Sequence, residues 1–439
     1  MQLVSPAAMV KDSRPIRLVL GGIAIVLFAW AMIMSGRIAI SRIFVKYGTT
    51  VLNTAPADAA AAVDSSLEMT PSDAEVHFTR GTVATYAQDY ETALKELELA
   101  VSLRPRDYYF WVELGLARDR LGDQNGAINA FNESMRLAPH YAQARWQRGN
   151  VLFRMGRYDE AFEDLRRAAD SNPEYLPGFI DLAWNASRKD AKLTEQLVVP
   201  QTDKAQGEIA LFFARNGKPD EAVVHYRALR IATPEVREKI IRDLIAKGAM
   251  RQAFTIWTDS KQANGVSVYD GGFEGPLSLD EFGFGWRVSS AQPGLAFSLD
   301  SGQPQSGARS LRINFTGNQT PGLELLSQLV VVEPNSHFRL YFSARTNNLV
   351  TGGPVVVVAK EAASQQILAK STTLPADTKG WQSFSVDFNV GATTSAIRLA
   401  VQRDECSTSP CPVFGSVNFD SFSLESVKHE TANKAATSK

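Results

Sequence analysis

The feature that most constrains this chain is a 34-residue period held without a slip from residue 74 to residue 173. Gly81, Gly115 and Gly149 recur at that interval, as do Ala93, Ala127 and Ala161, and Pro105, Pro139 and Pro173. A period in this range, with small residues at fixed offsets and a closing proline, builds a row of helix–turn–helix units in which each unit buries its apolar face against the next. The proline ends each second helix because it lacks the amide hydrogen that the previous turn would accept.

These positions resemble the tetratricopeptide repeat family. The resemblance implies complete repeats at 74–105, 108–139 and 142–173. The glycine on each first helix and the alanine on each second helix then allow close approach, while Trp111, Leu114, Phe131, Leu152, Phe162 and Leu165 fill the space between. The run 57–69, ending before Pro71, reads as a degenerate leading half-repeat. After Pro173 the phase is lost for about one unit, then returns with Gly217, Ala222 and Pro234, and a last hairpin surrounds Gly248 and Ala253. In this family the first helices line a groove. Carried over position by position, the lining is Tyr86, Tyr109, Arg120, Trp146, Asn150, Arg154 and Arg215, with Phe78, Asp119 and Phe153 beside them. Aromatics next to guanidinium groups suit an extended ligand with acidic groups, a partner's peptide tail or an acidic glycan. The plain alternative is a solvated helical face.

Ahead of the repeats, residues 18–36 form a 19-residue run without a charge. At about 1.5 Å per residue it nearly matches a hydrocarbon core of roughly 30 Å, so a single membrane span over 17–36 is expected. A cleaved signal peptide is the rival reading, since Ala29-Trp30-Ala31 loosely fits a cleavage site. Lys11, Arg14 and Arg17 precede the run and Arg37, Arg42 and Lys46 follow it, so charge bias alone does not orient it. The short tail 1–16 holds nothing that could fold, and the pair Cys406 and Cys411 favours an oxidising compartment. The expectation is therefore a single-pass protein of the cell inner membrane with its bulk periplasmic or otherwise extracytoplasmic. Residues 37–56 read as a juxtamembrane helix, lying along the membrane or leading into a solenoid at 57–262.

From Asn264-Gly265 onward, Gly, Ser, Thr, Val and Phe dominate and alternation replaces helical spacing, as in Leu311-Arg312-Ile313-Asn314-Phe315. An antiparallel β-sandwich of jelly-roll type is expected over 266–427, with a disordered tail at 428–439. Gly271-Gly272-Phe273-Glu274, Phe284-Gly285-Trp286, Gly380-Trp381 and Val417-Asn418-Phe419-Asp420 look like carbohydrate-binding modules of the galactose-binding-like superfamily. That resemblance implies two things. Exposed aromatics would stack on sugar rings, with Trp286, Phe284 and Tyr341 as candidates. A structural calcium would sit between Glu274 and Asp420, unless those carboxylates merely cap strand ends. Cys406 and Cys411 would close a loop disulfide, with reduced thiols as the alternative.

Formal net charge is -1, which supplies no basic field for nucleic acid. The five histidines show no metal-ligand spacing. There is no glycine-rich phosphate loop, no G-x-S-x-G and no H-E-x-x-H. No cofactor is required, although a carboxylate pair is not excluded. The combined fold class is a membrane helix, an α-solenoid and a β-sandwich. The expected role is a non-enzymatic envelope scaffold that holds a protein partner and meets surface polysaccharide. A pure protein–protein scaffold without a sugar site is the alternative, and a glycan-processing enzyme a third reading.

Overall fold

The computed structural model describes residues 14–258, 268–289, 293–317, 322–406 and 411–427. The expected solenoid–sandwich boundary between 262 and 266, the tail 428–439 and most of the tail 1–16 lie outside them. The chain forms two compact units, Met1–Ala186 with Gln196–Val199, and Ser187–Glu195 with Pro200–Lys439.

Unit 1 begins with α1 (Arg14–Val51), one continuous helix of 38 residues. The expected separate helices at 17–36 and 37–56 are therefore a single element as far as Val51, and residues 52–55 turn into the next helix. Its stretch from Leu18 to Val51 includes an 18-residue window of mean hydropathy 2.4 and is long and apolar enough to cross a membrane. The C-terminal part of α1 packs on α2 (Pro56–Met69). Val45 is buried, the Ser41 hydroxyl is 2.6 Å from that of Ser66, and the Arg37 guanidinium donates to the carbonyls of Glu68 and Met69.

Three regular hairpins follow: α3 (Ala74–Tyr86) with α4 (Tyr90–Leu103), α5 (Tyr108–Arg120) with α6 (Gln124–Leu137), and α7 (Ala142–Arg154) with α8 (Tyr158–Ser171). The first two hairpins are capped at all four helix starts by aspartates, Asp73, Asp89, Asp107 and Asp123, whose side chains accept backbone N–H groups of the first turn. Each second helix stops two residues before its proline, at Leu103, Leu137 and Ser171.

The glycines are required by close approach. A methyl group at Gly115 would sit 2.5 Å from Cε1 of Phe131, and one at Gly81 or Gly149 would sit 2.7 or 2.8 Å from Cγ of Leu97 or Leu165. Ala93, Ala127 and Ala161 are wholly buried on the opposite helix. Of the six residues expected to fill the interface, Leu114, Phe131, Leu152, Phe162 and Leu165 are buried, and Trp111 is half-buried with its Nε1–H donating to the Pro105 carbonyl. The outer repeats also share an ion pair at equivalent positions, Arg80–Glu96 at 2.8 Å and Arg148–Asp164 at 2.6 Å. The middle repeat has buried Leu114 and Ala130 in those places. A short 3-10 turn (Pro173–Tyr175) and α9 (Leu176–Ala186) close the unit. Next comes α10 (Ala191–Val198), which falls across the division between the units.

Unit 2 holds two further hairpins, α11 (Asp203–Arg215) with α12 (Pro219–Arg227) and α13 (Pro234–Ala246) with α14 (Met250–Thr258). It also holds the sandwich, made of β1 (Arg287–Val288), β2 (Leu295–Asp300), β3 (Ser310–Gly317), β4 (Glu324–Val331), β5 (His337–Thr351), β6 (Val355–Glu361), β7 (Ile367–Lys370), β8 (Gln382–Asn389), β9 (Ala396–Arg403) and β10 (Val413–Ser426). One sheet runs β1-β4-β9-β6-β7 and the other β2-β3-β10-β5-β8, with antiparallel pairing throughout. The alternating residues Leu311, Ile313 and Phe315 meet Phe338, Leu340, Phe342, Val417 and Phe419 in a continuous core. Trp257 of α14 fastens the helices to this body: it is buried, its ring lies 4.8 Å from Tyr269 and 5.8 Å from Phe284, and its Nε1–H donates to Glu281. Cys406 and Cys411 are joined by a disulfide; residues 407–410 between them are outside the described part.

Candidate partner-binding groove

The first helices of the three regular repeats, α3, α5 and α7, touch through the side chains that should line a groove. Phe78 on α3 reaches Tyr109 and Phe110 on α5, with ring centroids 5.6 and 4.5 Å apart. Arg154 on α7 sets its guanidinium 2.6 Å from both carboxylate oxygens of Asp119 on α5. Tyr86 and Tyr109 are exposed at 47% and 39%. Trp146 is half-buried and stacked on Tyr175 at 4.7 Å.

The expected arginine ladder is mostly self-neutralised. Arg154 is held by Asp119, and Arg215, which belongs to unit 2, pairs with Asp243 at 2.9 Å. Arg120 is exposed and has no ion pair among the described residues. The amide of Asn150 donates to the Trp146 carbonyl one turn back, so its hydrogens are turned onto its own helix. An acidic ligand therefore finds one open guanidinium.

Tyrosines not anticipated from the sequence surround that row. Tyr108 meets Tyr141 edge to face at 4.9 Å, and the Tyr141 hydroxyl donates to Gln143 at 2.6 Å. Burial, with Tyr109, Tyr108, Tyr175 and Glu113 nearby, pushes the Tyr141 phenol up to about 12. Burial also raises the Glu113 carboxyl above its ordinary range, against the lowering effect of the Tyr109 hydroxyl bonded to it. The Tyr109 phenol is raised in turn, by burial first and by Glu113 second. The cluster thus presents aromatic faces and neutral hydroxyls around one partly desolvated carboxyl. Such surfaces hold peptide backbone and apolar side chains with little entropy lost by the receptor. A signal was available in the sequence, since Tyr141 and Tyr175 lie one period apart.

In the sandwich, two of the three aromatics expected to face sugar do not. Trp286 is 5% exposed, packed against Phe273 and Phe422, and its Nε1–H donates to the Asp270 carbonyl. Phe284 is 1% exposed and wedged against Phe254 and Trp257. Both precede β1, where no strand alternation marks the inward side. Tyr341 is half-buried on β5. Glu274 accepts the backbone N–H of Ala308 and Arg309, and buried Asp420 accepts those of Gln305 and Ser306. Both carboxylates thus tie down the loop before β3, and Asp420 also accepts from the Ser306 and Ser421 hydroxyls. Among the described residues no cluster of three or more His, Cys, Asp or Glu side chains could hold a metal.

Comparison with known proteins bears on the repeats. The chain is similar over 93 residues to the small glutamine-rich tetratricopeptide repeat-containing protein 2 of Mycosarcoma maydis, at 30% identity, covering 21% of this chain and 26% of that protein. It is 27% identical over 93 residues to the peroxisomal targeting signal receptor of Candida albicans, covering 21% and 16%, and 33% identical over 86 residues to protein FlbA of Caulobacter vibrioides, covering 19% and 14%. The chain thus spans about a quarter or less of the length of these relatives. Among solved structures, MamA aligns with 30% of this chain and 74% of its own at 21% identity and a TM-score of 0.28. PilF of Pseudomonas aeruginosa aligns with 46% and 97% at 18% identity and a TM-score of 0.35. Residues 78–139 and 112–175 match the family model of the tetratricopeptide repeat, so the three hairpins α3–α8 are repeats of that type.

Proposed function

We propose that this protein is a membrane-anchored, non-enzymatic scaffold whose unit 1 receives an extended segment of a partner protein along α3, α5 and α7. The observation that carries the reading is the tyrosine cluster of 108, 109, 141 and 175 with Trp146, held at a helical face instead of filling the core. The name of one relative, a receptor for a targeting signal, agrees with peptide capture by such repeats. In this reading the segment carries apolar or aromatic side chains with at most one acid for Arg120, because the other guanidiniums are already engaged. α1 is the anchor in the inner membrane, and the disulfide supports an extracytoplasmic body. Meeting surface polysaccharide no longer rests on Trp286 and Phe284, and would need another face of the sandwich.

A photo-crosslinking residue at Tyr86, introduced into the full chain in its native membrane, tests this. The expected result is a discrete crosslinked partner that is lost in Tyr108→Ala/Tyr141→Ala while the far-UV spectrum is kept. The same adduct in that double variant would remove the groove from consideration.

A further inference from the structure

The outer face of the sheet β1-β4-β9-β6-β7 carries a polar cleft that the groove reading does not use. Strand pairing sets Arg287 opposite Ser327, Ser327 opposite Ala400, and Arg398 opposite Lys360, so Arg287, Ser327, Arg398 and Lys360 share one face. Their neighbours Val288, Leu326, Leu399 and Ala359 point the other way, into the core. A cavity of about 430 Å³ opens here, within the range of roughly 300–1,000 Å³ usual for small-ligand sites. A smaller hollow of about 150 Å³, bordered by Arg242 of α13, shares Arg287, Ser327 and Arg398 with it.

The cavity lining carries two guanidiniums, Arg287 and Arg398, and two carboxylates, Asp280 and Glu324. Glu324 is shared between Arg398 at 3.3 Å and Lys360 at 3.4 Å, which occupies both of its oxygens. Arg287 is exposed and has no ion pair among the described residues. Two polar atoms shielded from solvent, Arg398 Nε and Ser289 Oγ, have no hydrogen-bond partner among the described residues. Buried polar groups are almost always satisfied, so two orphans on residues that line one cavity mark a network that something else completes. Arginine adds geometry to charge, because its planar fork matches a carboxylate.

We propose that this cleft binds a small hydroxylated carboxylate, with a uronic-acid unit as the class that fits. Arg287 and Arg398 take the carboxylate, while Ser289, Ser327 and Asp280 take ring hydroxyls and Leu279 meets the apolar ring face. The site is independent of the groove in unit 1, so either can fail alone.

The test is calorimetric titration of the full chain in detergent with glucuronate, galacturonate and mannuronate oligomers, their neutral parent sugars, and sodium sulfate. At least one acidic oligomer should bind saturably and its neutral parent at least about tenfold more weakly. Arg287→Gln, at an exposed and unpaired position, should weaken that binding about tenfold without moving the unfolding temperature, and Arg398→Gln should do the same or more. Absence of binding by all three acidic oligomers overturns the proposal. So does equal binding of a neutral parent, or indifference to Arg287→Gln. Sulfate matching the acidic sugars would show a general anion site and overturn the hydroxylated-carboxylate assignment.

Discussion

Replacing Gly115 by alanine tests whether backbone approach at the glycine positions holds the repeats together. The added methyl would lie 2.5, 2.8 and 2.8 Å from three atoms of the Phe131 ring, where carbon pairs normally rest at about 3.5–4.0 Å. The ring would have to retreat by about 1 Å. It is wholly buried, in a cluster with Val112, Ala127, Ala144 and Val151, so retreat displaces the next repeat. Overpacking of a tight core costs about 1–3 kcal/mol, and this contact belongs near the upper end. Alanine in place of glycine within a helix returns about 1 kcal/mol. The net expectation is a loss of about 2 kcal/mol, centred on α5 and α6.

Hydrogen exchange by mass spectrometry reads that loss in place, without requiring the sandwich to unfold. Amides of α5 and α6 should exchange roughly 30-fold faster in Gly115→Ala, while β3 and β10 stay unchanged. A double-mutant cycle isolates the cause. Phe131→Ala alone should cost about 3–5 kcal/mol through the cavity it leaves. In that background Gly115→Ala should become stabilising by about 1 kcal/mol, because the obstructing ring is gone and only helix propensity remains. If the two changes simply add, the glycine is not there for close approach and the reasoning fails.

Two other variants probe other parts of the molecule. Gly283→Ala would push a methyl into the indole of Trp257, and should cost about 1–3 kcal/mol; a Trp257 fluorescence spectrum unshifted from the parent would argue against the packing. Glu113→Gln should raise unit 1 stability at neutral pH. Burial holds the folded carboxyl above its ordinary range, so the folded state favours the protonated form, and stability falls as pH climbs from the ordinary carboxylate range through that raised value. The glutamine variant should gain more over the parent in urea at pH 7.5 than at pH 4, and a gain independent of pH would contradict the assignment.

The phase of the repeats was legible because helix packing demands the same small residue at the same depth each time. Gly81, Gly115 and Gly149 can be read in one dimension for that reason. The ligand-facing chemistry was less legible. Whether Arg154 is free depends on Asp119, 35 residues earlier and on another helix, and Arg215 depends on Asp243 in the same way. Such pairs follow from how first helices stack, which the period implies only in outline. Alternation sorted inward from outward residues within strands, as for Leu311, Ile313 and Phe315. It had no purchase on Phe284 and Trp286, whose segment has no period and is buried by tertiary packing.

One repeat element was concealed by an adjoining signal. Gly48 of α1 lies against Val63 and the Ala59 carbonyl, as Gly81 lies against Leu97 and the Ala93 carbonyl. Ala59 and Val63 stand one period before Ala93 and Leu97, but Gly48 precedes Gly81 by 33 residues, because the intervening turn is one residue shorter. The end of α1 therefore acts as the first helix of a leading hairpin, which a strict 34-residue register and an apolar run upstream both obscure. This has a mechanical consequence for the proposed anchor. At about 1.5 Å per residue, residues 18–36 account for nearly one bilayer core and residues 37–51 for some 22 Å more. That second stretch is fixed to α2 by Val45, Ser41 and Arg37. α1 runs unbroken through Ser35-Gly36 at the junction of the two stretches, so in the proposed arrangement the groove in unit 1 would be carried on one continuous helix. Such a helix would confine the groove to one height and tilt above the membrane, whereas a flexible linker would let it sweep a volume. Under the proposed function, a partner segment would have to be presented at that same height, as a partner itself held at the membrane would present it.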